Sequence, residues 1–175
     1  MKTKKFLSIK LKGLFLICLS FIIISTNFVG VAMAATTGTV AATVTVQNIS
    51  ITVTDGTVAY GTLALNASAG TNATDTQTAT NNGNVAEAFN IRGQNSTGWT
   101  LGAAAGSDTY VHKFCAATCT TPPTNYTALI ITNQTLAASV AASGTQTFDL
   151  YITTPTSSTV FTSQSVDVII TATAV

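Results

Sequence analysis

Apolar residues along this chain alternate with Thr, Ser and Asn far more often than they recur at helical spacing, and a period of two predicts strands. In "ATVTVQ", Val44 and Val46 alternate with Thr. In "NISITVTD", Ile49, Ile51 and Val53 do the same, so the apolar phase slips by one residue near Gln47-Asn48. A slip of that kind needs a bulge or a change of sheet. Asp55-Gly56 is a hairpin-type turn signal, and the following "TVAYGTLAL" carries Val58 and Tyr60, then Leu63 and Leu65, across Gly61. "DTQTATNNGN" and "VAEAFNIRG" are joined by an Asn81-Asn82-Gly83-Asn84 turn, with Phe89 and Ile91 on one face. A short strand is predicted around Trp99 and Leu101, and Tyr110, His112 and Phe114 share one side of the next. "QTFDLYITTP" points Phe148, Leu150 and Ile152 inward and Asp149 and Tyr151 outward, and Val166, Val168 and Ile170 close the pattern. The expected fold is all-β, a two-sheet sandwich of about seven to nine strands.

The N-terminal stretch does not follow this pattern. Lys2, Lys4, Lys5, Lys10 and Lys12 precede an apolar run from Gly13 to Ile24, and Ala32-Met33-Ala34 offers a small-x-small cleavage site. These are the three regions of a secretory signal peptide. Cleavage between Ala34 and Ala35 divides the chain into a signal peptide, 1–34, and one domain, 35–175. An uncleaved anchor is the alternative, because Leu14 to Ala34 reaches the roughly 20 residues that a bilayer requires. Cys18 follows Ile17, where lipid attachment wants a small residue, and belongs to the discarded apolar region. The final "VDVIITATAV" reads as a strand and not as an anchor. The product is expected to be secreted, extracellular or on the cell surface, with no membrane attachment after cleavage.

Losing the signal changes the charge. Arg92 and Lys113 remain against Asp55, Asp75, Glu87, Asp108, Asp149 and Asp167, a formal charge of −4. Nucleic acid is excluded as a partner on that ground, since phosphate binding draws on clustered Lys and Arg. Charged residues make up only 7% of the whole chain, against about 25% in an ordinary domain, so Thr, Ser, Asn and Ala must form the surface.

Cys115 and Cys119 flank "AAT" just after the single His112. In an exported chain this pair is expected to be a disulfide, worth about 2 kcal/mol for so short a loop. It suits a strand end that runs into Pro122-Pro123. A redox pair and a zinc site with His112 are the alternatives. The first lacks two-residue spacing and a helix start, and the second lacks a near fourth ligand. Ser107, Asp108 and His112 can be drawn as a triad, but they lie along one strand instead of converging. Calcium in the Asp55, Asp75 or Asn81 to Asn84 turns, and an internal amide through Lys113, are further alternatives that ordinary turn chemistry and a surface-facing lysine answer without any ligand. No catalytic residue, cofactor or metal is therefore assigned, and the chain is expected not to be an enzyme.

Asn48, Asn66, Asn72, Asn95, Asn125 and Asn133 stand in glycosylation sequons, which a Thr- and Ser-rich chain also creates by chance. Trp99, Tyr60, Tyr126 and Tyr151 are the candidate aromatics for binding a glycan, although only Tyr151 has a clearly outward phase.

"TATNNGNVAEAFNI", "GWTL", "ASGTQTFDLYITTP" and "SVDVIITATAV" follow one another as in secreted bacterial and archaeal immunoglobulin-like domains, which the chain resembles over most of residues 35–175. In those domains an N-x-GN turn joins two strands and a G-x-x-x-F-x-L strand comes late. Trp99-Thr100-Leu101 also looks like one half of the paired Trp-x-Leu signature of wall-associated domains. The other half is missing, because Trp99 is the sole Trp, and wall binding is not carried over. The resemblance implies a cell-surface structural module with no catalytic residues.

The start of the domain adds one expectation. Ala35 to Ile51 contains no charged residue and no Pro, while Val40, Ala42, Val44 and Val46 share a face. Strands at sheet edges are normally guarded against pairing with other chains by Lys, Pro or inward charges. An unguarded one either completes its own sheet or pairs with a neighbouring copy, giving a homo-oligomer by strand addition. The function expected is a structural or adhesive surface module, whose partners are copies of itself or other cell-surface proteins. An extracellular glycan-binding module is the alternative.

Overall fold

The computed structural model describes residues 37–71, 74–119 and 122–175. The expected signal peptide, its Ala34/Ala35 junction and the Asn72 sequon lie outside the described residues. Contacts divide the chain into two units, Met1–Val44 and Thr45–Val175. Of the first, the described residues 37–44 form no strand and are exposed throughout.

The second unit is all-β, with ten strands and no helix among the described residues. They are β1 (Ile51–Thr54), β2 (Ser68–Gly70), β3 (Gln77–Asn81), β4 (Glu87–Arg92), β5 (Thr100–Leu101), β6 (Thr109–Cys115), β7 (Thr127–Ala128), β8 (Gln134–Val140), β9 (Thr145–Thr153) and β10 (Ile169–Ala174). The count exceeds the seven to nine expected because the sequence pattern does not predict β2, β7 and β8, the first two being too short, at three and two residues, to show an alternation, whereas β5 is the short strand expected around Trp99 and Leu101.

One sheet runs β1-β3-β9-β6-β5, with β2 also on β9 and β7 on β6; the other runs β10-β4-β8. Their inward faces meet in a single core. Ala79, Phe114, Phe148 and Leu150 come from the larger sheet, and Phe89, Ile91, Leu136 and Val140 from the smaller. Each large apolar side chain wholly removed from water there contributes about 1.5–3 kcal/mol. The structure is thus a two-sheet sandwich.

Asn81-Asn82-Gly83-Asn84 is a turn, as its sequence requires, but it carries the chain from β3 in one sheet to β4 in the other and makes no hairpin. Buried Asn81 fixes it. Its amide nitrogen donates to the Val85 and Val140 carbonyls at 2.8 and 2.9 Å, and its oxygen accepts from the Gly83 N–H at 2.8 Å. A Cβ on Gly83 would run into the Glu87 carboxylate and the Asn48 carbonyl, so the residue must be glycine for the chain to close up there. Glu87, itself buried, accepts from the Ser50 N–H at 2.9 Å and so holds the approach to β1 against this turn.

On β9, Phe148, Leu150 and Ile152 are buried as expected, but Asp149 is buried too. Its phase is outward, yet residues 71 and 76 cover that face. Thr76 donates to Asp149 at 2.6 Å and Thr71 at 3.4 Å, while the Thr71 hydroxyl accepts from the Leu150 N–H at 2.8 Å. The outward expectation for Asp149 is corrected on this ground.

Candidate functional site

Three stretches whose sequence is patterned as strand have no strand partner. The first is the segment before β1. Among the described residues, 37–45 make no backbone–backbone hydrogen bond, and Val40, Val44 and Val46 are 94%, 92% and 81% exposed. Pairing begins just after them. The Asn84 side-chain nitrogen donates to the Val46 carbonyl at 2.8 Å, and the Asn48 N–H donates to the Asn84 side-chain oxygen at 2.8 Å. The phase slip at Gln47-Asn48 is therefore neither a bulge nor a change of sheet. It marks where the chain starts to belong to the sandwich.

The second stretch follows the Asp55-Gly56 turn, where both residues have positive φ as a tight turn demands. Residues 57–63 then run past β1 without pairing, and no backbone–backbone hydrogen bond involves them. Gly61, at φ +70°, occurs where the apolar phase passes from Val58 and Tyr60 to Leu63 and Leu65. The third stretch leads into β10. Residues 161–167 likewise make no backbone–backbone hydrogen bond, although side chains hold this stretch in place. The Gln164 side-chain oxygen accepts from the Ser96 hydroxyl and the Gly98 N–H, both at 2.8 Å. Asp167 accepts from the Gln94 amide at 3.1 Å. Asp108 accepts from the Ser158 hydroxyl at 2.8 Å and the Thr159 hydroxyl at 2.7 Å. The Thr159 and Ser158 hydroxyls, then the Thr159 N–H, hold the Asp108 carboxyl below the usual carboxylate range.

The second and third stretches line one open cleft of about 1280 Å³. Val58, Tyr60 and Leu63 come from one, Val160, Val166 and Val168 from the other, and Phe148, Leu150 and Ile152 of β9 add their inward faces. Asp167 is the one formally charged residue of the lining. His112 lies in the same lining, wholly buried, with Nε2 hydrogen-bonded to the Tyr60 hydroxyl at 2.8 Å. Burial lowers its pKa to about 4, a shift that the Val166 backbone partly opposes, and Nδ1 has no hydrogen-bond partner of good geometry. Burial also pushes the Tyr60 hydroxyl well above the usual range for tyrosine.

The residues singled out from the sequence are brought together only in part. Cys115 and Cys119 form a disulfide, with Cα atoms 5.7 Å apart. Ser107, Asp108 and His112 do not converge, because Asp108 serves Ser158 and Thr159 while His112 serves Tyr60. No group of three or more His, Cys, Asp or Glu side chains close enough to hold a metal occurs among the described residues. Trp99 donates through its ring nitrogen to Ser158 at 3.0 Å and packs near Tyr110, and Tyr126 packs against Tyr151 at a ring distance of 5.9 Å. Asn48, Asn66, Asn95, Asn125 and Asn133 are all exposed.

Sequence reasoning named the N-terminal segment but missed the cleft. The available signal was that "TVAYGTLAL" and Val166 to Ile170 are both apolar runs free of Lys, Arg and Glu. Comparison with protein-family models, with curated proteins and with solved structures finds no match in any of the three.

Proposed function

We propose that this chain is a secreted, non-catalytic structural module of the cell exterior, an immunoglobulin-like sandwich whose copies join one another by strand addition. The observation that carries the proposal is the segment before β1. It is patterned as a strand, has no charge and no Pro, and carries its valines fully in water. Exposed apolar strands with unpaired backbone are what monomeric proteins avoid and what strand addition uses. Cleavage between Ala34 and Ala35 leaves this segment at the free end of the chain, where it can reach another copy. The Cys115–Cys119 disulfide supports export, since such bonds persist in oxidising compartments. The two-sheet architecture supports the immunoglobulin-like assignment.

The test is size. Purified 35–175 should form high-mass species whose amount rises with concentration, and removing Ala35 to Val46 should leave folded monomer. A full-length domain that sediments as monomer at every concentration ends the proposal.

A further inference from the structure

We infer that the cleft between residues 56–65 and 158–168 is the receiving site for Thr39 to Val46 of a second copy of this chain; the inference rests on the strand-addition reading and names where the added strand goes. Sites for small molecules enclose about 300–1,000 Å³, and this cleft, at about 1280 Å³, exceeds that range. Its chemistry matches an extended apolar peptide. The lining mixes aliphatic and aromatic side chains with Thr, Ser and Gln, as the segment mixes Val and Ala with Thr, and Asp167 is its one formal charge, whereas Thr39 to Val46 has none. In a strand, Val40, Ala42, Val44 and Val46 stand on one face at intervals of about 6.6 Å, so four side chains enter while Thr39, Ala41, Thr43 and Thr45 face out.

The backbone matches as well. Residues 57–63 and 161–167 carry N–H and C=O groups with no backbone partner, and β10 pairs on one side only, with β4. Side chains meet a few of these groups, as Gln164 does the Thr162 and Ser163 carbonyls, and a strand laid in the cleft satisfies the rest. The donor must come from another copy. Val46 and Asn48 are tied to Asn84, and from Thr39 to Gln47 there is no Gly, Pro, Asn or Asp to turn the segment back on its own domain. Donor and receiver are different surfaces, so the contact is head-to-tail and propagates into a filament unless its rotation closes a ring.

The test uses the whole secreted domain carrying Val44→Asp, which spoils the donor at a residue that is 92% exposed and leaves the cleft untouched. A synthetic peptide of residues 35–48 is added, and amide hydrogen exchange is followed. The inference expects exchange at 57–63 and 161–167 to slow about tenfold or more, V44D alone to stay monomeric, and substoichiometric V44D to shorten wild-type assemblies by capping their growing ends. If wild type assembles in a Val44-dependent way while the peptide leaves both stretches exchanging freely, the cleft is not the receiver, although strand addition survives. If wild type never assembles and the peptide protects nothing, both the inference and the reading beneath it fall.

Discussion

Ile91 of β4 and Ile170 of β10 are paired directly across the smaller sheet, yet Ile91 is wholly buried and Ile170 is only partly so. The same holds along both strands. Phe89 is wholly buried, whereas Ala172, its partner, and Val168, on the approach to β10, are partly exposed. Local sequence does not explain the difference, because both strands alternate. What differs is company: β4 has β8 on one edge and β10 on the other, while β10 has β4 alone. One side of the sandwich is closed by its own strands. The other presents a cleft bordered by chain that is patterned for burial and not buried. Alternation in sequence states which residues seek cover and leaves open who supplies it.

The largest expected effect lies on the closed side. Phe89→Ala should cost about 3–5 kcal/mol in chemical denaturation, the range for truncating a fully buried phenyl ring. Because Phe89 does not line the cleft proposed to receive a second copy, the loss should be equal for monomer and assembly. A cost under about 1 kcal/mol would mean that the closed side is as loosely packed as the open one.

Next comes His112, which lines the cleft of the open side. Its folded-state pKa of about 4 lies below the ordinary 6.5, because burial disfavours the imidazolium. The neutral ring is therefore the form that folding favours. Its contribution is complete above about pH 6.5 and is lost as pH falls toward 4, a loss on the order of 3 kcal/mol. Melts between pH 7 and pH 4 should show that loss, and His112→Gln, which cannot take up a proton, should flatten it. An unchanged acid slope in the variant would place the acid sensitivity in the carboxylates instead.

The closed side was the more legible. Phe89, Ile91, Phe148, Leu150 and the Asn81 turn follow from alternation and turn chemistry, and the disulfide follows from spacing and context. β8 was not legible, although it covers β4. Its "QTLAASV" is rich in small residues, and with register shifts in its pairing with β4 it buries Leu136 and Val140 but exposes Ala138 midway between them, which breaks the period of two. Asp149 misled for a different reason, since its face is set by alternation but its cover by a loop from elsewhere in the chain. On the open side, the alternation at 57–65 and 166–168 predicts strands, but the structure forms none there and β10 begins only at Ile169. A pattern reports which residues seek burial, and leaves open what pairs with them.

The smallest effect is the most discriminating between the two sides. Val168 packs against the core and also lines the cleft, where it remains partly exposed. Complete burial of a valine is worth about 1.5–3 kcal/mol, so Val168→Ala should cost only about 1 kcal/mol in a domain kept monomeric by Val44→Asp. If a neighbouring copy's strand covers the cleft, the same substitution removes methyl groups that have become fully enclosed. Its cost in assembled wild type should then rise to about 2 kcal/mol, since truncation inside a closed interior loses contacts on every side. Denaturation of the two backgrounds side by side measures the difference, and Phe89→Ala serves as the control whose cost does not change. Equal costs for Val168→Ala in monomer and assembly would show that assembly leaves the open side open, and that its apolar lining answers to something other than a second copy.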